Sequence, residues 1–158
     1  LESVYFIDSN TGWAVGVSKI LKTTDGGNNW ISLSRGTQEW LKSVYFIDSN
    51  TGWVVGYDGI ILKTTDGGDE WIHQTSGTKG NLYSVCFMDS KTGWAVGENL
   101  KGPIHGKILK TTDGGNNWIS LNSGIRDWLQ YVYFIDSNTG WVVGSGGSIL
   151  KTTNGGEN

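Results

Sequence analysis

Cysteine and proline are almost missing from this 158-residue chain, with Cys86 and Pro103 the single examples of each. A lone cysteine cannot close a disulfide within the chain, so redox compartment does not follow from it. Histidine and arginine are equally thin, limited to His73 and His105, and to Arg35 and Arg126. Two His and one Cys leave no Ser-His-Asp constellation and no metal cluster to assemble, and no cofactor is implied. So few arginines also argue against a phosphate or carboxylate clamp. The formal charge is -3 without charge runs, and the basic stripe of a nucleic-acid binder is missing. The chain has no apolar run long enough to span a membrane. No window carries the 3.6-residue period of a helix.

Glycine and tryptophan are in excess, at twenty-five and nine residues. Glycine permits tight turns and tryptophan buries a large area, a pairing that suits many short strands joined by sharp loops. The excess is organised by a repeat. Lys22 to Trp30 reads Lys-Thr-Thr-Asp-Gly-Gly-Asn-Asn-Trp, and it returns at Lys63 to Trp71, at Lys110 to Trp118 and from Lys151 onward, with Asn154 in place of Asp. Aligned on their first leucine, the copies start at Leu1, Leu41, Leu82 and Leu129, giving repeats 1–40, 41–81, 82–128 and 129–158. Leu1 to Gly16 and Leu41 to Gly56 differ only at Glu2/Lys42 and Ala14/Val54, which implies recent duplication or deliberate amplification.

Each copy has the pattern of four strands. Val4 to Ile7 is β-branched and aromatic. The turn formers Asp8 to Gly12 follow, and Trp13 to Gly16 reads as a second strand. After the link Val17-Ser18-Lys19, a third strand runs from Ile20 to Thr23. The Asp-Gly-Gly hairpin turn then leads to a fourth strand, expected to start at Trp30. Four short antiparallel strands every 40 or so residues predict an all-β fold, a β-propeller of four-stranded blades. The whole chain, 1–158, is read as a single propeller domain or part of one. The fourth copy ends before its outer strand, so the expectation is an arc of a larger ring, with a homodimer as one way of completing it.

Two resemblances rest on these residues. Thr23-x-Asp25-x-Gly27-x-Asn29-Trp30 resembles the Asp-box, or BNR repeat, of sialidase-type propellers, with Thr64, Asp66, Gly68 and Trp71, then Thr111, Asp113, Gly115 and Trp118, as its other copies. The longer pattern Val4-x-Phe6-x-Asp8 through Gly12-Trp13-Ala14-Val15-Gly16 to the Asp-box is similar to the photosystem II stability and assembly factor family. That resemblance implies a propeller scaffold with a habit of binding, and it favours an extracytoplasmic location. Sialidases need three arginines on the substrate carboxylate, more than this chain contains. The motif's own chemistry reads as structural: Thr and Asp side chains satisfy a tight turn, Gly supplies left-handed backbone, and Trp30 fills the wedge between blades. Asp8, Asp48, Asp89 and Asp136 are read as turn formers, since calcium-loop spacing is missing.

The links between strands one and two and between three and four fall on one face and are nearly uniform. The links between strands two and three, and from blade to blade, fall on the opposite face and carry what differs. That variable face presents Trp40, Trp128, Arg35, Arg126, Glu39, Asp127, Tyr57, Asp58, Glu98 and His105, with Lys79 and Asn81 beside them. Trp and Arg on scaffolded loops are the anchors of a protein interface, and Trp beside carboxylates also suits a sugar. Two other readings stay open for individual residues: Trp40 and Trp128 as apolar lids on the core, and His105 as a solvent-facing loop residue. The function expected is a non-catalytic scaffold holding a protein partner. A carbohydrate-binding propeller, a glycoside hydrolase relative and an amplified repeat without a ligand are the alternatives.

Overall fold

In a computed structural model of the chain, which describes residues 1–17, 19–34, 36–100 and 105–157, four antiparallel sheets follow one another along the sequence. The first holds β1 (Ser3–Phe6), β2 (Gly12–Gly16), β3 (Lys19–Thr23) and β4 (Ile31–Leu33). The second holds β5 (Leu41–Phe46), β6 (Gly52–Gly56), β7 (Ile61–Thr64) and β8 (Ile72–Gln74). The third holds β9 (Leu82–Phe87), β10 (Gly93–Glu98), β11 (Gly106–Thr111) and β12 (Ile119–Asn122). The fourth has three strands, β13 (Leu129–Phe134), β14 (Gly140–Gly144) and β15 (Ile149–Thr152). In every sheet the strands pair in chain order, which is the meander of a propeller blade. The inner strands β1, β5, β9 and β13 surround a central cavity of about 360 Å³ to which Tyr5, Tyr45, Cys86 and Tyr133 contribute.

One expectation about local structure needs correction. The outer strands begin at Ile31, Ile72 and Ile119, one residue after the tryptophans expected to start them. The residue before each Trp turns its amide inward to the Asp-box carboxylate, as Asn29 does to Asp25 at 2.9 Å, so the ladder starts later. The link Tyr57–Gly59 is a short 3-10 turn, in which Asp58 takes a left-handed conformation at φ 54°. The Asn81 side chain helps to hold it there, accepting the Asp58 N–H at 3.1 Å.

The core lies between blades. Three clusters of buried side chains each join one blade to the next, the first built from Trp13, Val15 and Ile20 against Val44, Phe46 and Trp71. Their centre is a three-layer stack. Phe46 lies flat over Gly52, its partner across the β5–β6 ladder, where any Cβ would come within 2.6 Å of the ring. Trp13 of the preceding blade covers the other side of the Phe46 ring at 3.6 Å, inclined by 8°. Its indole N–H donates to the Gly67 carbonyl of the next Asp-box at 2.9 Å. Trp53 on Phe87 and Trp94 on Phe134 repeat the stack, with bonds to Gly114 and Gly155. Lys22, Lys63 and Lys110 sit over these indoles at 5.4–5.7 Å. A buried indole contributes about 4–6 kcal/mol gross at ~25 cal/mol/Å², before the entropy of ordering it.

Candidate functional site

The two ends of the blades differ in how much of their chemistry is spent internally. On the Asp-box end, the Thr23 hydroxyl donates to Asp25 and accepts the Gly27 N–H, both at 2.9 Å. Thr64 with Asp66 and Gly68, and Thr111 with Asp113 and Gly115, repeat this geometry. In the fourth copy Thr152 donates to the Asn154 side-chain oxygen instead. Gly26 and Gly27, at φ 72° and 90°, take the left-handed backbone this turn requires. Asp8 accepts the amides of Asn10 and Thr11 at 2.7 Å. The Gly26 N–H then ties the two turns together by donating to the Asn10 carbonyl. Amide donors hold these carboxyls below their usual range: chiefly Asn29 N–H for Asp25, Glu70 N–H for Asp66, the Asn117 side chain for Asp113, and Asn10 N–H for Asp8. Trp71 is buried beside Phe46, whereas Trp30 is partly exposed and Trp118 intermediate.

The opposite end keeps aromatic and charged groups at the surface. Trp40 precedes β5, bridges Val17, and accepts the Tyr57 N–H on its carbonyl at 2.9 Å. This backbone bond places the Tyr57 ring beside the half-exposed indole, stacked at 5.4 Å and 24°. Tyr83 meets Tyr57 edge-on at 6.5 Å, and the Lys42 ammonium lies 5.5 Å over the Tyr57 ring while pairing with Glu2 at 3.0 Å. Behind them Glu98 is buried, and Asn81 donates to its carboxylate at 2.5 Å. Burial raises the Tyr83 hydroxyl pKa, and the Glu98 charge pushes it in the same direction. A shallow depression of about 490 Å³ beside this cluster includes Asp58, Gly59, Thr75, Gly77 and Lys79 in its lining.

Of the residues picked out from sequence, Trp40, between blades 1 and 2, stacks on Tyr57, while Tyr57 and Asp58 reach Tyr83 and Asn81 of blade 3, where Asn81 also holds Glu98. Trp128, Arg126 and Asp127 lie on the link from blade 3 to blade 4. There the Trp128 carbonyl accepts the Ser145 N–H, and the Ser148 hydroxyl donates to Asp127, which pins the link between β14 and β15. Trp128 is half-exposed, and Arg126 is exposed. Glu39 is partly buried, with its N–H donated to Thr37. His105 contributes its carbonyl to Asn99 N–H. Arg35 lies outside the described residues. Lys42 and Tyr83 were not singled out from sequence, although both occupy the second position of an inner strand, where the copies read Glu, Lys, Tyr and Gln. That variation was the signal available.

A family model described as "Photosynthesis system II assembly factor YCF48" matches residues 1–79 and 74–158. No curated protein matches the chain in sequence. Among solved structures, "YCF48 bound to D1 peptide" is 27% identical with a TM-score of 0.71, covering 91% of this chain and 46% of that one. YCF48 from Cyanidioschyzon merolae is 21% identical, with a TM-score of 0.76 and coverage of 95% and 49%. The GH74 xyloglucanase from Xanthomonas campestris is 14% identical, with a TM-score of 0.73 and coverage of 98% and 28%. At such identities the last two show the propeller fold alone. The chain spans about half the length of the two YCF48 structures.

Proposed function

The chain belongs to the photosystem II assembly factor YCF48 family, and from that premise we propose that it is a non-catalytic scaffold holding an extended protein segment on its loop face. One observation carries the reading: Trp40, Tyr83 and Lys42 all meet the Tyr57 ring, forming one aromatic cluster with a cation across the loop face of blades 2 and 3. Rigid aromatic rings supply contact area at low entropy cost, and the Lys42 ammonium gives a peptide a charged partner. The D1 peptide bound to a YCF48 relative is a precedent for this class of partner. Trp128 with Arg126 and Asp127 extends the surface along the same face, so a segment longer than a few residues can span both junctions. In this reading residues 1–158 work as one propeller unit or as part of one, the Asp-box residues hold the turns, and no cofactor or metal takes part.

Isothermal titration tests it with the D1 peptide, a scrambled peptide of equal composition, and a soluble glycan panel. Saturable heat with the D1 peptide is expected, weakened at least about 10-fold by Trp40→Ala or Lys42→Ala, equivalent to about 1.4 kcal/mol. Saturation by a glycan with no response to peptides would overturn the proposal in favour of a lectin-like propeller.

A further inference from the structure

Trp40, Asn81 and Trp128 occupy one position, immediately before the inner strands β5, β9 and β13. In each case the carbonyl of that residue accepts the N–H of the residue after Gly56, Gly97 or Gly144, which is Tyr57, Glu98 or Ser145, at 2.9 Å. The backbone role is common to the three blades, and an indole side chain fits it twice. The Asn81 amide does two things that the indoles do not. Its oxygen accepts the Asp58 N–H of blade 2 at 3.1 Å, and its NH2 donates to the buried Glu98 carboxylate of blade 3. Neither partner can exchange roles, because an ionised carboxylate only accepts and a backbone N–H only donates. Glu98 therefore decides which way the Asn81 amide faces.

In blade 2 this amide bears on Tyr57. The Tyr57 N–H is held by Trp40 and the Asp58 N–H by Asn81, so the peptides on both sides of the Tyr57 Cα are fixed from outside the link. The bond from Ile60 N–H to the Tyr57 carbonyl closes the turn but moves with it. With both peptides fixed, the ring is directed onto Trp40, stacked at 5.4 Å. The backbone records the constraint. Among the described residues Asp58 is the one non-glycine with left-handed backbone, at φ 54°. Blade 4 has a link of the same length, 145–148 against 57–60, and turns with left-handed Gly147 alone, at φ 83°. Link length thus does not demand the conformation that Asp58 takes.

We propose that Asn81 and Glu98 are positioning residues of the loop face: Glu98 orients the Asn81 amide, Asn81 holds the Asp58 N–H, and Tyr57 is kept as a rigid platform against Trp40. The platform of blade 2 is set from blade 3, and it is organised before a segment arrives, which lowers the entropy cost of binding. The effect on affinity, and only that, rests on the binding role proposed above.

A double substitution tests the relay. Asn81→Asp sets a carboxylate against the buried Glu98 carboxylate and breaks the clamp. Adding Glu98→Gln restores it, because the glutamine NH2 donates to the new carboxylate while the second oxygen of that carboxylate accepts the Asp58 N–H. NMR without peptide reads the nuclear Overhauser contact between the Trp40 and Tyr57 rings and the exchange protection of the Asp58 amide. Both are expected to be lost in Asn81→Asp and recovered in the double variant. Isothermal titration with the D1 peptide should show affinity at least about 10-fold weaker for Asn81→Asp and within about 3-fold of the parent for the double variant. Where Asn81→Asp alone does not fold, the double variant decides, with rings in contact supporting the relay and rings apart overturning it. Rings in contact or unchanged affinity in folded Asn81→Asp, or no recovery in the double variant, also overturn it. A relay that NMR finds intact in a chain indifferent to peptides overturns the binding role and leaves the relay standing.

Discussion

Two buried tryptophans of the second blade differ in whether the indole N–H is hydrogen-bonded, and replacing each with phenylalanine exposes that difference. Trp53 and Trp71 are both buried against a phenylalanine ring, stacked at 3.5 Å in the first case and edge-on at 6.1 Å in the second. The Trp53 indole donates to the Gly114 carbonyl at 3.2 Å, whereas the buried Trp71 indole nitrogen has no partner among the described residues. Exchanging indole for phenyl removes about 50 Å² of buried apolar surface at either site, or about 1–1.5 kcal/mol. Trp53→Phe also strands a buried acceptor, adding about 1–3 kcal/mol. Trp71→Phe deletes a buried donor that was already unsatisfied, and this offsets most of the lost area. The first variant should therefore cost roughly 3 kcal/mol and the second under about 1, against a total on the order of 5–15 kcal/mol. Urea unfolding followed by circular dichroism at one protein concentration gives both values from midpoint and slope. A Trp71→Phe cost equal to or above that of Trp53→Phe would refute the account of the inter-blade stack.

Other outcomes follow from the same geometry. Thr64→Val removes the acceptor of the Gly68 N–H while keeping the buried shape, and should lower stability by about 1–3 kcal/mol, measurable by the same urea titration. Gly52→Ala forces a methyl group against the Phe46 ring and should cost about 1–3 kcal/mol; a neutral result would show that the ring can move away. Asp8, Asp25, Asp66, Asp113 and Asp136 all have carboxyl pKa values held below the usual 3.8 by amide donors. Their stabilisation is therefore present above about pH 4 and is lost as the pH falls through the lowered values. The melting temperature should drop on acidification from pH 5 to pH 2.5, and a rise would contradict this. Burial pushes the Cys86 thiol up to about 12, so a thiol reagent at pH 8 should label the chain only after urea is added.

What was legible in the sequence was local. Asp8 bonds amides two and three residues on, and Thr23, Asp25 and Gly27 close a turn within five residues, so a repeated tetrad announces repeated hairpins. The strand pattern between those turns then led to a propeller. The stack that joins blades was not legible, because Trp13 and its Gly67 acceptor are 54 residues apart. Its only trace is the fixed spacing of Phe6, Gly12 and Trp13 in each copy, which one strand's pattern does not explain. The loop face was half visible. Trp40, Tyr57 and Glu98 stood out because the copies differ there, whereas Lys42 and Tyr83 were hidden inside an inner strand. The left-handed Asp58 was hidden too, since it is held by Asn81 from the next blade.

The proposed function requires the loop face, and not the Asp-box face, to meet the partner. Hydrogen exchange with and without saturating D1 peptide tests it most directly. Added protection is expected at Trp40–Lys42, Tyr57–Gly59 and Asn81–Tyr83. Protection confined to the Asp-box turns around Asp25, Asp66 and Asp113 would contradict it.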